Sequence, residues 1–151
     1  MFDTMHSADG IGLAANQVGV LQRILVADIS CLEDFKNVKP LVLINPEVVY
    51  EDGKCTMEEG CLSVPDIRAE VVRPQTIRVR YKDTNFQDKE VEANDIFARV
   101  ILHEIDHLNG VLFIDYLPKS KKKEFLGQIE KIQNGDIEAK YPVVTSQKVV
   151  L

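Results

Sequence analysis

The sequence contains no stretch that approaches 18 consecutive apolar residues, so it predicts no membrane-spanning helix. Its first residues, Met1 to Met5, have neither the basic segment nor the long apolar segment of a secretory signal peptide, and we expect a cytoplasmic protein. Positive charge is in deficit: 18 Lys and Arg stand against 24 Asp and Glu, a formal net charge of −6. General nucleic-acid binders usually present a basic face, so this balance argues against that class.

Cysteine is scarce as well, with only Cys31, Cys55 and Cys61. Three cysteines cannot all pair, and in a reducing compartment they are expected to be free thiols or metal ligands. We expect Cys31 and Cys55 to be small buried core residues. With 151 residues, 45% of them apolar and 28% charged, the chain is predicted to fold as one domain over residues 1–151 without disulfides.

The pattern of apolar residues predicts several strands followed by a central buried helix. Strands are predicted at residues 23–29, 41–44, 47–50, 69–72, 76–81 and 89–93. Asn45-Pro46 is expected to stop the second strand before the third begins. This order of elements predicts an α+β fold with mostly antiparallel or mixed strands and a C-terminal helix.

Three helices are predicted. Met1, Phe2 and Met5 have helical spacing at the start of the chain. A helix capped by Asn94 or Asp95 should run to about residue 108, and because it is apolar almost all round we expect it to be buried. A further helix is predicted over residues 120–133, with an apolar stripe.

The strongest chemical signal is His103-Glu104-Ile105-Asp106-His107, on the predicted central helix. Residues four apart share a helix face, so both imidazoles can reach one metal ion. Glu104 is adjacent, where a carboxylate can accept a proton from a water molecule at the metal. Burying two histidines and a carboxylate without partners on an apolar helix would be costly, which favours a metal site over a chance match.

A catalytic metal site needs a third protein ligand and an open fourth position. Upstream, Cys61 lies in the segment 59–63, Glu-Gly-Cys-Leu-Ser. A thiolate with two imidazoles suits a borderline divalent metal. Downstream, Glu124, Glu130 and Glu138 are poorer candidates because they lie on a different amphipathic element.

A third segment, residues 10–17, reads Gly-Ile-Gly-Leu-Ala-Ala-Asn-Gln. No predicted strand precedes it, so the dinucleotide-binding fingerprint is not met. Its small residues indicate backbone that is exposed to a ligand or packed closely on another element. The side-chain amide of Gln17 could donate to a carbonyl oxygen.

Together, the three segments resemble the peptide deformylase family, which is marked by Gly-x-Gly-Leu-Ala-Ala-x-Gln, Glu-Gly-Cys-Leu-Ser and His-Glu-x-x-His in that order. The resemblance extends from the first residues to about Leu117. Three ordered motifs at compatible spacings are far more specific than any one of them. The resemblance implies an enzyme that hydrolyses the N-formyl group from the formyl-methionine of newly synthesised polypeptides and releases formate.

The resemblance also implies a role for each metal-site residue. Cys61, His103 and His107 would bind one divalent metal, ferrous iron in the cell or zinc or another divalent ion in the isolated protein. Glu104 would be the general base and then the general acid.

The remaining implied roles concern the substrate. The side-chain amide of Gln17 and the backbone N–H of Leu62 would donate to the formyl oxygen as it becomes negative. Gly12 would hydrogen-bond the substrate backbone, while Ile11 and Val100 would line the methionine pocket. Family members carry an additional N-terminal segment, which we expect this chain to lack.

Two other functions remain open from the residues alone. A zincin-type metallopeptidase would need a third ligand downstream of His107. A non-catalytic, metal-stabilised binding module would need a closed four-ligand shell, for which His6 is the remaining histidine.

A basic cluster, consisting of Lys119, Lys121, Lys122 and Lys123, crowds the start of the last predicted helix. This is the unfavourable end of a helix dipole for positive charge. The cluster is interpreted either as a solvated helix start or as a ribosome contact, because deformylases act on emerging chains. We predict neither membrane binding nor sequence-specific nucleic-acid binding.

Overall fold

The computed structural model of the chain describes residues 1–144 and the backbone of residues 149–150. The helices are α1 (Phe2–Ser7), α2 (Asp95–Leu108), α3 (Lys119–Glu124) and α4 (Leu126–Asn134). The strands are β1 (Gly12–Ala14), β2 (Ile24–Ala27), β3 (Leu41–Asp52), β4 (Cys55–Cys61), β5 (Val64–Arg73), β6 (Thr76–Lys82), β7 (Asp88–Asn94), β8 (Val143–Val144) and β9 (Val149–Val150). The α+β prediction is therefore confirmed.

The chain forms two compact units. Unit 1 comprises Met1–Thr56 and Val72–Leu112, and unit 2 comprises Met57–Val71 and Phe113–Leu151. The prediction that residues 1–151 form one domain stays a prediction, and residues 145–148 and 151 lie outside the described part of the chain. Within the described part, no helix is long and apolar enough to cross a membrane.

Unit 1 contains a five-stranded antiparallel sheet in the order β1-β2-β3-β6-β7. Alternate side chains point to the face on which α2 packs, as the two-residue period of a strand requires. Buried residues from the strands and the helix form one apolar core: Leu25, Ala27, Ile29, Leu43, Ile77, Val79, Ala93, Ala98, Val100, Ile101, Leu102 and Ile105. This core fixes the helix that carries the histidine motif.

The predicted bounds of α2 are confirmed. Asn94 occupies the N-cap position in an extended conformation, but its side chain accepts a hydrogen bond from the Thr76 hydroxyl at 2.7 Å instead of capping the helix. Asn109 follows the last helical residue, and Gly110 has a φ of 76°, a left-handed conformation that ends the helix at little cost.

The sheet differs from prediction at two places. Asn45-Pro46 does not stop the strand, because Asn45 adopts a φ of 51° and the pairing shifts register between Ile44 and Glu47. A bulge of this kind absorbs the proline, which has no N–H for the ladder. The Gly12–Ala14 segment, not predicted as a strand, pairs with β2 and forms the edge of the sheet.

Unit 2 contains most of β4 and β5, which form a two-stranded sheet connected by the turn Leu62-Ser63. The helix predicted over residues 120–133 is instead two helices, because the backbone at Phe125 (ψ −1°) interrupts it. The predicted apolar stripe is only half-buried: Phe125, Ile129 and Ile132. The short strands β8 and β9, which the sequence did not predict, pair with each other.

Candidate metal centre and active site

The two motif histidines lie side by side on α2. The ring centroids of His103 and His107 are 4.9 Å apart, with the rings nearly perpendicular. His107 is 5% exposed and His103 is half-buried, so the pair lies at the boundary of the core. Both imidazoles therefore share one face of the helix, as the i, i+4 spacing requires, and their role as metal ligands stays a prediction.

The carboxylate of Glu104 lies against the backbone of Gly12. A Cβ at position 12 would be 2.5 Å from Glu104 Oε1 and 2.9 Å from Val100 Cγ1, closer than real Cβ contacts. Glu104 is 4% exposed. Only glycine at position 12 therefore lets this edge strand approach the buried carboxylate, which is the close backbone approach that the small residues indicated.

The loop after β1 orients Gln17. Its side-chain Oε1 accepts a hydrogen bond from the Ala14 N–H at 2.8 Å, which leaves Nε2 as the donor end of the amide. The neighbouring Asn16 donates from Nδ2 to the carbonyl oxygen of His107. This bond satisfies a carbonyl in the last turn of α2 and connects the Gln17 loop to the histidine helix.

The two predicted pocket residues come from different elements: Ile11 directly precedes β1, and Val100 lies on α2. Val100 is 5% exposed on α2, and Ile11 is half-buried against the apolar core. The Ile11 carbonyl accepts from the Asp28 N–H at 2.9 Å, which holds the segment before β1 to the end of β2.

Asp28 is a buried carboxylate that connects α1 to the sheet. Burial works to raise the pKa of Asp28, but hydrogen bonds from the Ser30 hydroxyl and N–H and from His6 outweigh it, and the pKa lies below its ordinary value. The Asp28 oxygens are 2.6 Å from Ser30 Oγ and 2.9 Å from His6 Nε2. This contact engages the remaining histidine of the chain.

Two buried arginines connect α2 to neighbouring strands: Arg73 at the end of β5, and Arg99 on α2 itself. Arg73 Nη1 lies 2.6 Å from Asp106 Oδ2, and their side chains are 3% and 15% exposed. Arg99 Nη2 donates to the Cys55 carbonyl at 2.6 Å. Because Asp106 lies between Glu104 and His107 in the motif, the first pair restrains the helical turn that carries these residues.

In unit 2, Cys61 ends β4 and Leu62 begins the turn to β5. The Ser63 N–H donates to Cys61 Sγ at 3.3 Å, and the Tyr141 hydroxyl donates to the Leu62 carbonyl at 2.9 Å. Burial raises the pKa of Tyr141, and the charges of Cys61 and Asp66 add to the effect, so the hydroxyl keeps its proton at neutral pH.

The other two cysteines differ in their exposure to solvent. Cys31 is exposed, so the expectation of a buried core residue was wrong for it, and Cys55 is only half-buried and lies outside the buried core. Strand β2 ends at Ala27, and Cys31 lies four residues further on, where the chain has left the sheet and the side chain is exposed.

Sequence reasoning missed three supporting residues: Asn16, Arg73 and Tyr141. Asn16 lies inside a recognised segment, but its partner is a backbone carbonyl 91 residues away. Arg73 pairs across 33 residues, and Tyr141 lies 79 residues from Leu62. No local pattern encodes pairings at such separations.

Residues 1–123 match the model of the polypeptide deformylase family. The chain belongs to the peptide deformylase family. A peptide deformylase of Chlorobium limicola is 49% identical over 149 residues, which cover 99% of this chain and 80% of that protein. The crystal structure of a peptide deformylase from Legionella pneumophila matches with a TM-score of 0.79 at 38% identity, over 90% of this chain and 78% of that one. Peptide deformylase 1B of Arabidopsis thaliana, solved with an inhibitor, matches with a TM-score of 0.82 at 34% identity, over 90% and 75%.

Family membership confirms the predicted hydrolase class and the predicted removal of the N-formyl group, and it does not favour the metallopeptidase or the binding module. Peptide deformylases are metal-dependent, and this chain carries side chains that can each offer one ligand atom to a metal: His103 and His107 in unit 1 and Cys61 in unit 2. The roles of the individual residues remain predictions.

Proposed function

We propose that this chain hydrolyses the amide between the formyl group and the N-terminal methionine of newly made polypeptides, with formate as the released acid. The observation that carries the proposal is that the buried carboxylate of Glu104, on the helix with the two histidines, packs against Gly12 of strand β1. Both residues belong to motifs that mark a family of this activity.

Cys61, His103 and His107 are the proposed metal ligands. The donor set supports this assignment, because a soft thiolate and two imidazoles accept ferrous iron or zinc. We propose that the bound metal is ferrous iron in the cell and that zinc or another divalent ion can replace it in the isolated protein. When bound, the metal supplies Lewis-acid polarisation and a lowered pKa for water at its open position.

Glu104 is the proposed general base, which accepts a proton from the attacking water at its carboxylate and later gives a proton to the leaving amine. Gln17 Nε2 and the Leu62 N–H are the proposed donors to the formyl oxygen. Support for Gln17 comes from its bond to Ala14, which fixes the orientation of the amide before substrate binds.

Gly12, Ile11 and Val100 are the proposed substrate contacts. Gly12 is in the edge strand β1, and an edge strand offers unpaired backbone groups to an extended peptide. Val100 lies beside Gly12 and supplies an apolar surface for a methionine side chain. We further propose that residues 1–151 act as one catalytic domain in the cytoplasm.

The function is tested by purifying the chain anaerobically, measuring its metal content and assaying formate release from a formyl-Met tripeptide. We expect about one metal per chain and formate released in step with free amine. Hydrolysis of an internal peptide bond without formate release would instead identify a metallopeptidase.

Cys61→Ala tests the ligand set, with Cys31→Ala as the matched control because Cys31 is an exposed thiol. We expect Cys61→Ala to lose tight metal binding and Cys31→Ala to keep it. Tight binding by Cys61→Ala would point to a ligand downstream of His107 and contradict the assignment.

We also propose the basic cluster as a ribosome contact. Lys121 lies 3.2 Å from Glu124 and Lys122 lies 3.6 Å from Asp115, but exposed pairs of this kind contribute little and leave the positive charge available. Charge reversal of Lys121 and Lys122 together should weaken co-sedimentation with ribosomes and leave tripeptide turnover intact. Unchanged co-sedimentation would contradict the proposal.

A further inference from the structure

The peptide unit between Leu62 and Ser63 is hydrogen-bonded at both ends. Its carbonyl oxygen accepts from the Tyr141 hydroxyl at 2.9 Å, and its N–H donates to Cys61 Sγ at 3.3 Å. All four residues belong to unit 2. The same rigid plane therefore joins the tyrosine to the thiol.

Tyr141 lies beyond residues 1–123, where the family model ends. It follows α4 and Gly135, whose φ of 73° ends that helix and redirects the chain. The segment after α4 thereby brings one half-buried hydroxyl to the β4–β5 turn. This segment has no clear periodicity of apolar residues, and the family motifs assign it no role.

We propose that Tyr141 is a positioning residue, which holds the Leu62–Ser63 peptide so that its N–H points at the Cys61 sulfur. This inference rests on the proposed roles of Cys61 and Leu62. Fixing the Leu62 carbonyl restrains the turn that also presents the Leu62 N–H. A hydrogen bond to a ligand sulfur withdraws charge from it, and such supporting contacts tune metal sites.

The two bonds reinforce each other. A donor at the carbonyl polarises the peptide and makes its N–H a stronger donor to sulfur. Removing the hydroxyl should therefore weaken the N–H···S bond even though the phenyl ring still fills its place. A tyrosine that only filled space would not affect the electronic state of the sulfur.

The test is Tyr141→Phe in the Co²⁺-substituted protein, with Tyr50→Phe as the matched control. Tyr50 lies on β3, exposed, with its ring 5.4 Å from the guanidinium carbon of Arg78. We expect the thiolate-to-cobalt charge-transfer band of Tyr141→Phe to move to longer wavelength, since a sulfur that loses a hydrogen bond gives up charge more easily. We expect kcat to fall about 3- to 10-fold, as for the loss of one neutral hydrogen bond, with KM within about twofold.

A charge-transfer band at the wild-type position would overturn the proposal, whatever the activity does. An equal band shift in Tyr50→Phe would also overturn it. If wild-type protein released no formate, the proposed function would fail, yet the band would still test Tyr141. If Tyr141→Phe did not fold, amide exchange of Ser63 in the wild-type protein would decide: protection is expected, and exchange at the rate of an open chain would contradict the bond.

Discussion

Replacing Gly12 with alanine is the sharpest single perturbation of the site. The added Cβ would lie 2.5 Å from Glu104 Oε1, 2.9 Å from Glu104 Cγ and 2.9 Å from Val100 Cγ1. Ordinary contacts of this kind begin at 3.4 Å, so the carboxylate would have to move by about 0.9 Å. Glu104 is buried and held on a packed helix, which leaves it little room to move aside.

We expect Gly12→Ala to destabilise the protein by about 1–3 kcal/mol, the usual range for overpacking. We expect kcat for formate release to fall about 10- to 100-fold, since a displacement near 1 Å at a catalytic group can cost that much. The assays are thermal or urea unfolding and steady-state turnover of a formyl-Met tripeptide.

Gly127→Ala is the matched control. A Cβ at position 127 would meet nothing within 4 Å, and alanine in helix α4 should be neutral or stabilise by up to about 1 kcal/mol. If Gly12→Ala kept both the stability and the turnover of the wild-type protein, the close packing of strand β1 on Glu104 would be refuted.

Three further predictions concern single side chains. Gln17→Glu keeps the acceptor that bonds Ala14 but removes the proposed donor, so kcat should fall about 10²- to 10³-fold; activity within a few-fold of the wild-type protein would exclude that role. Arg73→Met should cost about 3–5 kcal/mol in urea unfolding because it removes the charged partner of the largely buried Asp106 carboxylate, whereas Arg80→Met, at an exposed pair, should cost about 1 kcal/mol or less. Asp28→Asn should destabilise the protein at neutral pH. The pKa of Asp28 in the folded protein is below its ordinary value of 3.8, so the ionised carboxylate stabilises the fold at pH values above 3.8. This stabilisation is lost as the pH falls through the lowered pKa. A destabilisation that is constant from pH 7 to pH 3 would contradict that linkage.

The sequence predicted α2 and its motif accurately because their signals are local. The apolar run lies within one helix, and the polar N-cap position and Asn109-Gly110 directly flank it. The two histidines need only the helical repeat to meet on one face. The same locality allowed the strands β6 and β7 to be placed within a residue or two of their observed ends.

The remaining fold was harder to predict because its signals depend on distant partners. Gly12–Ala14 becomes a strand only because β2 offers it an edge, and its small residues have low strand propensity. Asn45-Pro46 reads as a stop, yet the strand continues through a register shift that only the neighbour β6 defines. The contact of Tyr141 was unpredictable for the same reason, since its partner Leu62 lies 79 residues away and no periodicity of the sequence connects the two.

Glu104→Gln is the decisive variant for the proposal that Glu104 is the general base of a metal-dependent deformylase. Glutamine preserves the shape beside Gly12 but cannot accept the proton. We expect the variant to hold as much metal as the wild-type protein while formate release from a formyl-Met tripeptide falls about 10²- to 10⁴-fold. If the variant kept its metal and most of its formate release, Glu104 would not be the general base.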